Sequence, residues 1–200
     1  MQGITTREED SVRYLVTANT LERMLFFTNR GRAFQERVAQ IPDAGRGAKG
    51  VPLSNVLDLD AGEIVTAIVP APEAPNGDTS ALNGRYLVMV TQQAKIKRVA
   101  LSEFGAIRPS GIVALSLDEG DELGWVRLTD GAQEMIIISR EGKALRFKED
   151  EARVMGRSAR GVGAMRLSAG DAVASVEVVE PEADLLLLTA AGFGKRTALG

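Results

Sequence analysis

The feature that most constrains this chain is an internal repeat. An apolar strand ending in a hydroxyl residue, a short turn and a second strand carrying bases occur four times. The copies are Leu25-Phe26-Phe27-Thr28-Asn29-Arg30-Gly31-Arg32-Ala33-Phe34, Leu87-Val88-Met89-Val90-Thr91-Gln92-Gln93-Ala94-Lys95-Ile96-Lys97-Arg98, Met135-Ile136-Ile137-Ile138-Ser139-Arg140-Glu141-Gly142 running on to Lys148, and Leu185-Leu186-Leu187-Leu188-Thr189-Ala190-Ala191-Gly192-Phe193-Gly194-Lys195-Arg196. Self-similarity at a period of about 50 residues marks stacked supersecondary units, each of which buries its apolar face against the next.

The stretch after each hairpin repeats as well. A basic segment leads to a glycine and an apolar strand at Gly50-Val51, Gly111-Ile112 and Gly161-Val162. A glycine turn comes next (Asp60-Ala61-Gly62-Glu63, Asp118-Glu119-Gly120-Asp121, Ser168-Ala169-Gly170-Asp171), then a closing apolar strand. Each unit thus supplies about four short antiparallel strands separated by turn signals, the pattern of an all-β blade. The first unit is lengthened by Pro70 to Asp78, a loop by its proline, asparagine and glycine. Only Asp150 to Met155 hints at a helical turn. The division predicted is a half blade at 1–20, blades at 21–80, 81–130 and 131–180, and a half blade at 181–200: one partial domain and an incomplete disc. The Leu185 to Leu188 run and Trp125 read as core.

Composition removes several functions. The chain has no cysteine and no histidine, so disulfides, thiolate metal sites and the commonest general base and zinc ligand are excluded. There is no P-loop and no nucleophile with a histidine base. The paired acids at Asp118-Glu119 and Asp121-Glu122 suit a solvated turn better than a magnesium site. The polar start and the lack of a long apolar run point to a cytoplasmic protein without a membrane span.

Net charge is −3, but the distribution is uneven. Residues 30–50 carry five bases against two acids, 91–114 four against one, and 139–166 eight against four; residues 115–134 carry six acids against Arg127 alone. If the units stack around an axis, their basic segments form one track, suited to a polyanion held through phosphates without sequence readout. Basic and acidic strands that pair across a sheet as solvated ion pairs would give the same pattern.

Leu25-Phe26-Phe27-Thr28-Asn29-Arg30-Gly31-Arg32, Gly111-Ile112 with Leu117 to Leu123, Met155-Gly156-Arg157-Ser158-Ala159-Arg160-Gly161-Val162 and Phe193-Gly194-Lys195-Arg196-Thr197 resemble the C-terminal domain of the DNA gyrase A subunit. The resemblance spans essentially the whole chain. It implies a β-pinwheel, a propeller-like disc of blades with duplex DNA wrapped on a basic rim. It implies work in an A2B2 heterotetramer, made with the rest of the gyrase A chain and with the gyrase B chain. That assembly is a nucleoid-associated type IIA topoisomerase that introduces negative supercoils. ATP, magnesium and the cleaving tyrosine act elsewhere in it, so no cofactor and no catalytic residue is expected here. The corresponding topoisomerase IV domain and a propeller-type protein-interaction scaffold are the alternatives. The candidate DNA contacts are Arg30, Arg32, Arg46, Lys49, Lys95, Lys97, Arg98, Arg108, Lys143, Arg146, Arg157, Arg160, Arg166, Lys195 and Arg196. Arg46 to Gly50 and Arg157 to Gly161 resemble the family's degenerate basic boxes. The full glycine-rich box of the family's first blade is not in the sequence. Gln35 stands where the other units have Arg98, Arg146 and Arg196, which predicts a weaker contact in that blade.

Overall fold

The computed structural model describes residues 12–45, 48, 50–74 and 78–199. Apart from 3-10 turns, every regular element in them is a β-strand. Four hairpins correspond to the four repeats: β1 (Arg23–Thr28) with β2 (Arg32–Arg37), β4 (Tyr86–Thr91) with β5 (Lys95–Ala100), β8 (Glu134–Ser139) with β9 (Ala144–Lys148), and β12 (Asp184–Leu188) with β13 (Gly194–Ala198). A closing strand pairs antiparallel with the first strand of three hairpins: β3 (Val65–Ala71) with β1, β7 (Leu123–Thr129) with β4 and β11 (Val173–Val179) with β8.

The fourth strand is where the sequence expectation needs correcting. Each unit was expected to supply its own. Instead β6 (Ile112–Val113), from the second repeat, pairs with β2 of the first sheet, and β10 (Val162–Gly163), from the third, pairs with β5 of the second. The chain passes to the preceding sheet at Gly111 and Gly161, both at positive φ (74° and 82°). A Cβ on Gly161 would lie 2.6 Å from the Ile96 carbonyl oxygen, and one on Gly111 would lie 2.8 Å from the Phe34 ring. Only glycine combines that backbone conformation with so close an approach. Successive sheets are therefore stitched by backbone hydrogen bonds as well as by packing.

The repeated hydroxyl has a local cause. Thr28, Thr91 and Ser139 are buried, and the oxygens of Thr28, Thr91, Ser139 and Thr189 accept the backbone N–H of Arg32, Lys95, Lys143 and Phe193 at 3.3, 3.1, 3.2 and 3.1 Å. Each closes its hairpin turn. The acid after each glycine turn completes the corner. Thr28 donates to Glu63 at 2.6 Å. Asp121 accepts the N–H groups of Gln93 and Glu122, and Asp171 those of Glu141 and Ala172. These acids thus fix the hairpin turn to the start of the closing strand. Thr91→Val keeps the shape and removes the acceptor, leaving the part-buried Lys95 N–H without it; a loss of about 1–2 kcal/mol is expected in urea unfolding.

Strand periodicity distributes the core. Leu25 and Phe27 point from the first sheet toward the second and meet Leu87, Met89, Leu101 and Phe104. Phe27 and Phe104 pack edge to face with centroids 5.9 Å apart. Val88 and Val90 point the other way, toward Met135 and Ile137 of the third sheet. Met24 and Phe26 cover the outer face of the first sheet with Leu57 and Val65. The first and second sheets are thus apolar on both faces, as stacked blades require.

Three smaller expectations change. β3 runs through Pro70 and Ala71, with Pro70 opposite Met24 on β1, so the loop starts later than its prolines suggest. The predicted helical turn is the 3-10 turn Glu149–Glu151. The leucine run is not uniformly core: Leu186 and Leu188 are 62% and 71% exposed, because β12 has only β13 beside it among the described residues. Trp125 is partly buried against the cluster between the second and third sheets.

Candidate nucleic-acid interface

After the second and third hairpins the chain turns through a 3-10 segment and crosses over the second strand of the preceding sheet. The basic residues of the repeats cluster at these crossings. Their local chemistry separates them into two groups.

The first group is turned inward. Lys97 is fully buried, and its ammonium donates to the carbonyls of Gly156, Arg157 and Ala159 at 3.1, 2.5 and 3.0 Å. Burial, with Arg157 nearby, pushes its pKa down to about 8. Arg98, 8% exposed, stacks 4.6 Å over the Tyr86 ring and lies 3.5 Å from Glu149 on the turn after β9. Arg146, at the matching place on β9, is exposed; it pairs with Glu134 at 2.6 Å and donates to the Leu199 carbonyl just past β13. Arg32 bridges Asp60 and Glu63 at 2.8 and 2.7 Å, reaches the Ser110 carbonyl at 2.7 Å and lies over Phe34. Of these, Lys97, Arg98 and Arg32 were, like the exposed Arg146, expected to face DNA. The structure instead places those three between repeats, where a long cation can satisfy carbonyl ends or a carboxylate of the next unit that the apolar blade faces would strand.

The second group is exposed. Arg108 and Arg166 face solvent, as do Lys143, Lys195 and Arg196. Lys143 donates to the Ser168 hydroxyl at 2.8 Å, and Arg196 lies 3.2 Å from Asp184. Arg30 holds Asp60 loosely at 3.7 Å. The Arg160 side chain is 69% exposed and shares Asp118 with Lys95. Arg157 is half-buried, 3.8 Å from Glu103. Such exposed pairs are weak and easily exchanged for a phosphate partner. Arg108 and Arg157 both line a groove of about 420 Å³, with Gly156, Ile112, Val113, Ser158 and one acid, Glu103. Arg46 and Lys49 lie outside the described residues.

The sequence reading missed Arg23. It is 3% exposed and donates to Gln35, to the carbonyls of Phe104 and Gly105 in the turn after β5, and to Pro72. Burial lowers its pKa from the usual arginine range, with Glu73 working against the shift. Its contacts on the next unit's turn match those of Arg98 and Arg146. The first sheet has therefore moved the cation from the second strand to the first rather than lost it. The signal was present: Arg23 occupies the place of Tyr86, Glu134 and Asp184 in the repeat, and Gln35 that of the arginines. The buried carboxylate of Glu149, which anchors Arg98, was also missed.

Residues 22–72, 85–130, 133–180 and 183–200 each match the family described as DNA gyrase C-terminal domain, beta-propeller. The chain belongs to that family. Each of the four matched segments begins at one of the four hairpins. Among relatives of this gyrase-type domain, the DNA gyrase A subunit of Salmonella typhimurium is 42% identical over 192 residues and that of Escherichia coli 41% over 193, each covering 96% of this chain and 21% of the relative. The gyrase A subunit of Staphylococcus aureus is 36% identical over 199 residues, 98% of this chain and 22% of the relative. The chain thus spans about a fifth of the length of the relatives it matches. A solved topoisomerase IV C-terminal domain superposes with a TM-score of 0.78 at 27% identity, covering 90% of this chain and 54% of that one. A solved gyrase A C-terminal domain gives 0.72 at 23%, covering 90% and 56%. No helix among the described residues is long and apolar enough to cross a membrane.

Proposed function

We propose that this gyrase-type domain binds duplex DNA without sequence preference along the turns that cross from one sheet to the next. The observation that carries the reading is the groove between successive crossings, which Arg108, Arg157 and Ser158 line together. Arg160, Lys143 and Arg166 extend the exposed cations beyond it. A phosphate there would exchange the loose contacts to Glu103 and Asp118 for a stronger charge-assisted one, and would release counterions. Stacking surfaces for single strands are scarce, because aromatic residues make up 4% of the chain. In the whole protein the DNA so held would be presented to the cleavage machinery of the gyrase A chain, working in A2B2 with an ATP-hydrolysing gyrase B chain on the nucleoid. That assembly, and wrapping as distinct from binding, belong to this proposal.

The test is duplex affinity against salt. Arg157→Ala with Arg160→Ala should weaken binding about 10- to 100-fold, equally on unrelated sequences, and flatten the salt slope by about 2. Affinity that does not change with salt, or a loss confined to one sequence, would overturn the reading. Retention of a protein partner but no DNA would favour the interaction-scaffold alternative.

A further inference from the structure

The Lys97 side chain sits at one position of the repeat where the other complete units carry Phe34 and Leu145. In the first sheet Phe34 fills that place with an apolar ring beneath Gly111. In the second, an ammonium is enclosed by three carbonyls of one turn, those of Gly156, Arg157 and Ala159. That turn carries Arg157 and Arg160. Ser116 adds its N–H to the Ala159 carbonyl from the other side at 3.4 Å. The carbonyls of the turn therefore face inward, onto a fixed cation, while Arg160 is exposed and Arg157 half-buried, each held only by an exchangeable contact to Asp118 or Glu103.

We propose that Lys97 is a positioning residue that holds the Gly156–Arg160 turn with its arginines presented to a DNA phosphate, touching no DNA itself. This rests on the DNA-binding reading above. The charged groups of the elements beside Lys97 are Arg157 and Arg160 on the turn, Glu103 and Asp118 paired with them, and Lys95 on the same face of its own strand, while Arg98 lies on the other face. Arginine and carboxylate side chains keep their charge between about pH 7 and about pH 9, and the chain has no histidine or cysteine. Buried Lys97, with its pKa near 8, changes state in that window. A neutral amine has two donors for three carbonyls, so the cage loosens as the proton leaves. A bound phosphate favours the protonated form. By linkage, DNA affinity must then fall as pH rises through about 8.

Two measurements test this on the full chain with a fluorescent random-sequence duplex. Wild-type affinity should fall about threefold or more from about pH 7 to about pH 9, whereas Lys97→Met should bind about tenfold more weakly at the lower pH and show a flat profile. Amide exchange at residues 157–161 should quicken in Lys97→Met whether or not DNA is present. If Arg157→Ala weakens binding but Lys97→Met does not, and the wild-type profile is flat, the positioning role is wrong while DNA binding stands. If Arg157→Ala has no effect, the DNA reading fails. Unchanged exchange in the turn of Lys97→Met then removes the positioning role too, and the pH titration of the wild type stands even if the variant does not fold.

Discussion

Glu149→Ala is expected to destabilise the chain by about 3–5 kcal/mol, the range for breaking a buried, hydrogen-bonded charge pair. The carboxylate is fully buried. It accepts the Thr129 hydroxyl at 2.5 Å and the N–H groups of Gly131 and Gln133 at 2.8 and 2.9 Å, and faces Arg98 at 3.5 Å. One side chain of the third unit therefore holds the closing strand of the second sheet, the turn between the sheets and the inward arginine of β5. Alanine leaves two backbone donors and a guanidinium without this acceptor, and the Thr129 hydroxyl with only the Tyr86 carbonyl at 3.5 Å. Arg98 has little in reserve, since its Nε already lacks a partner. A fall in Tm of about 10 °C follows for a chain of this length. Thermal unfolding followed by circular dichroism measures it. Glu149→Gln, which keeps an acceptor for the backbone donors, should recover part of the loss. A change under about 1 kcal/mol in Glu149→Ala would mean that packing, not this cluster, joins the second and third sheets.

The second large effect is expected at Gly31. A Cβ there would lie 2.2 Å from the Leu115 carbonyl oxygen, in the segment whose Ala114 and Leu115 N–H groups donate to the Gly31 carbonyl at 2.8 and 3.0 Å. Gly31→Ala must push the exchanged strand β6 away from β2, and we expect a loss of about 3–4 kcal/mol, combining a strained φ with overpacking. Gly142 serves as the control. It holds the same place in the third repeat at φ 84°, with nothing within 4 Å, so Gly142→Ala should cost only about 1 kcal/mol. Ala94, at φ 60° in the second repeat, shows that a Cβ can adopt this backbone. The difference between the two variants therefore reports the contact with Leu115 rather than the dihedral. Equal denaturation midpoints for Gly31→Ala and Gly142→Ala would remove strand exchange as a source of stability.

Both sites illustrate how far the repeat can be read. The N–H of Val38, Leu101, Glu149 and Leu199 bonds to the carbonyl of Glu22, Arg85, Gln133 and Ala183, one bond in the same place of each unit. Alignment of the four copies therefore marks Glu149 as an acid where the other copies are apolar. It does not identify Arg98 and Thr129 as its partners, because both lie in another unit. Arg23 and Gln35 show the same limit: their exchange of place is visible in the sequence, and its meaning depends on the turn of Phe104 and Gly105 that receives the guanidinium.

The all-β character, the four hairpins, their turns and the hydroxyls that close them were legible in the amino-acid order, because they depend on residues a few positions apart and on strand periodicity. So was the place of the basic segments along the chain. Which sheet each glycine-led strand joins, and which cations remain exposed, emerges only once distant units are packed together. Lys97 and Arg160 are equally basic in the sequence. One is enclosed by carbonyls of the next repeat and the other stands in solvent, since the cost of burying a charge is set by the neighbours that folding brings to it.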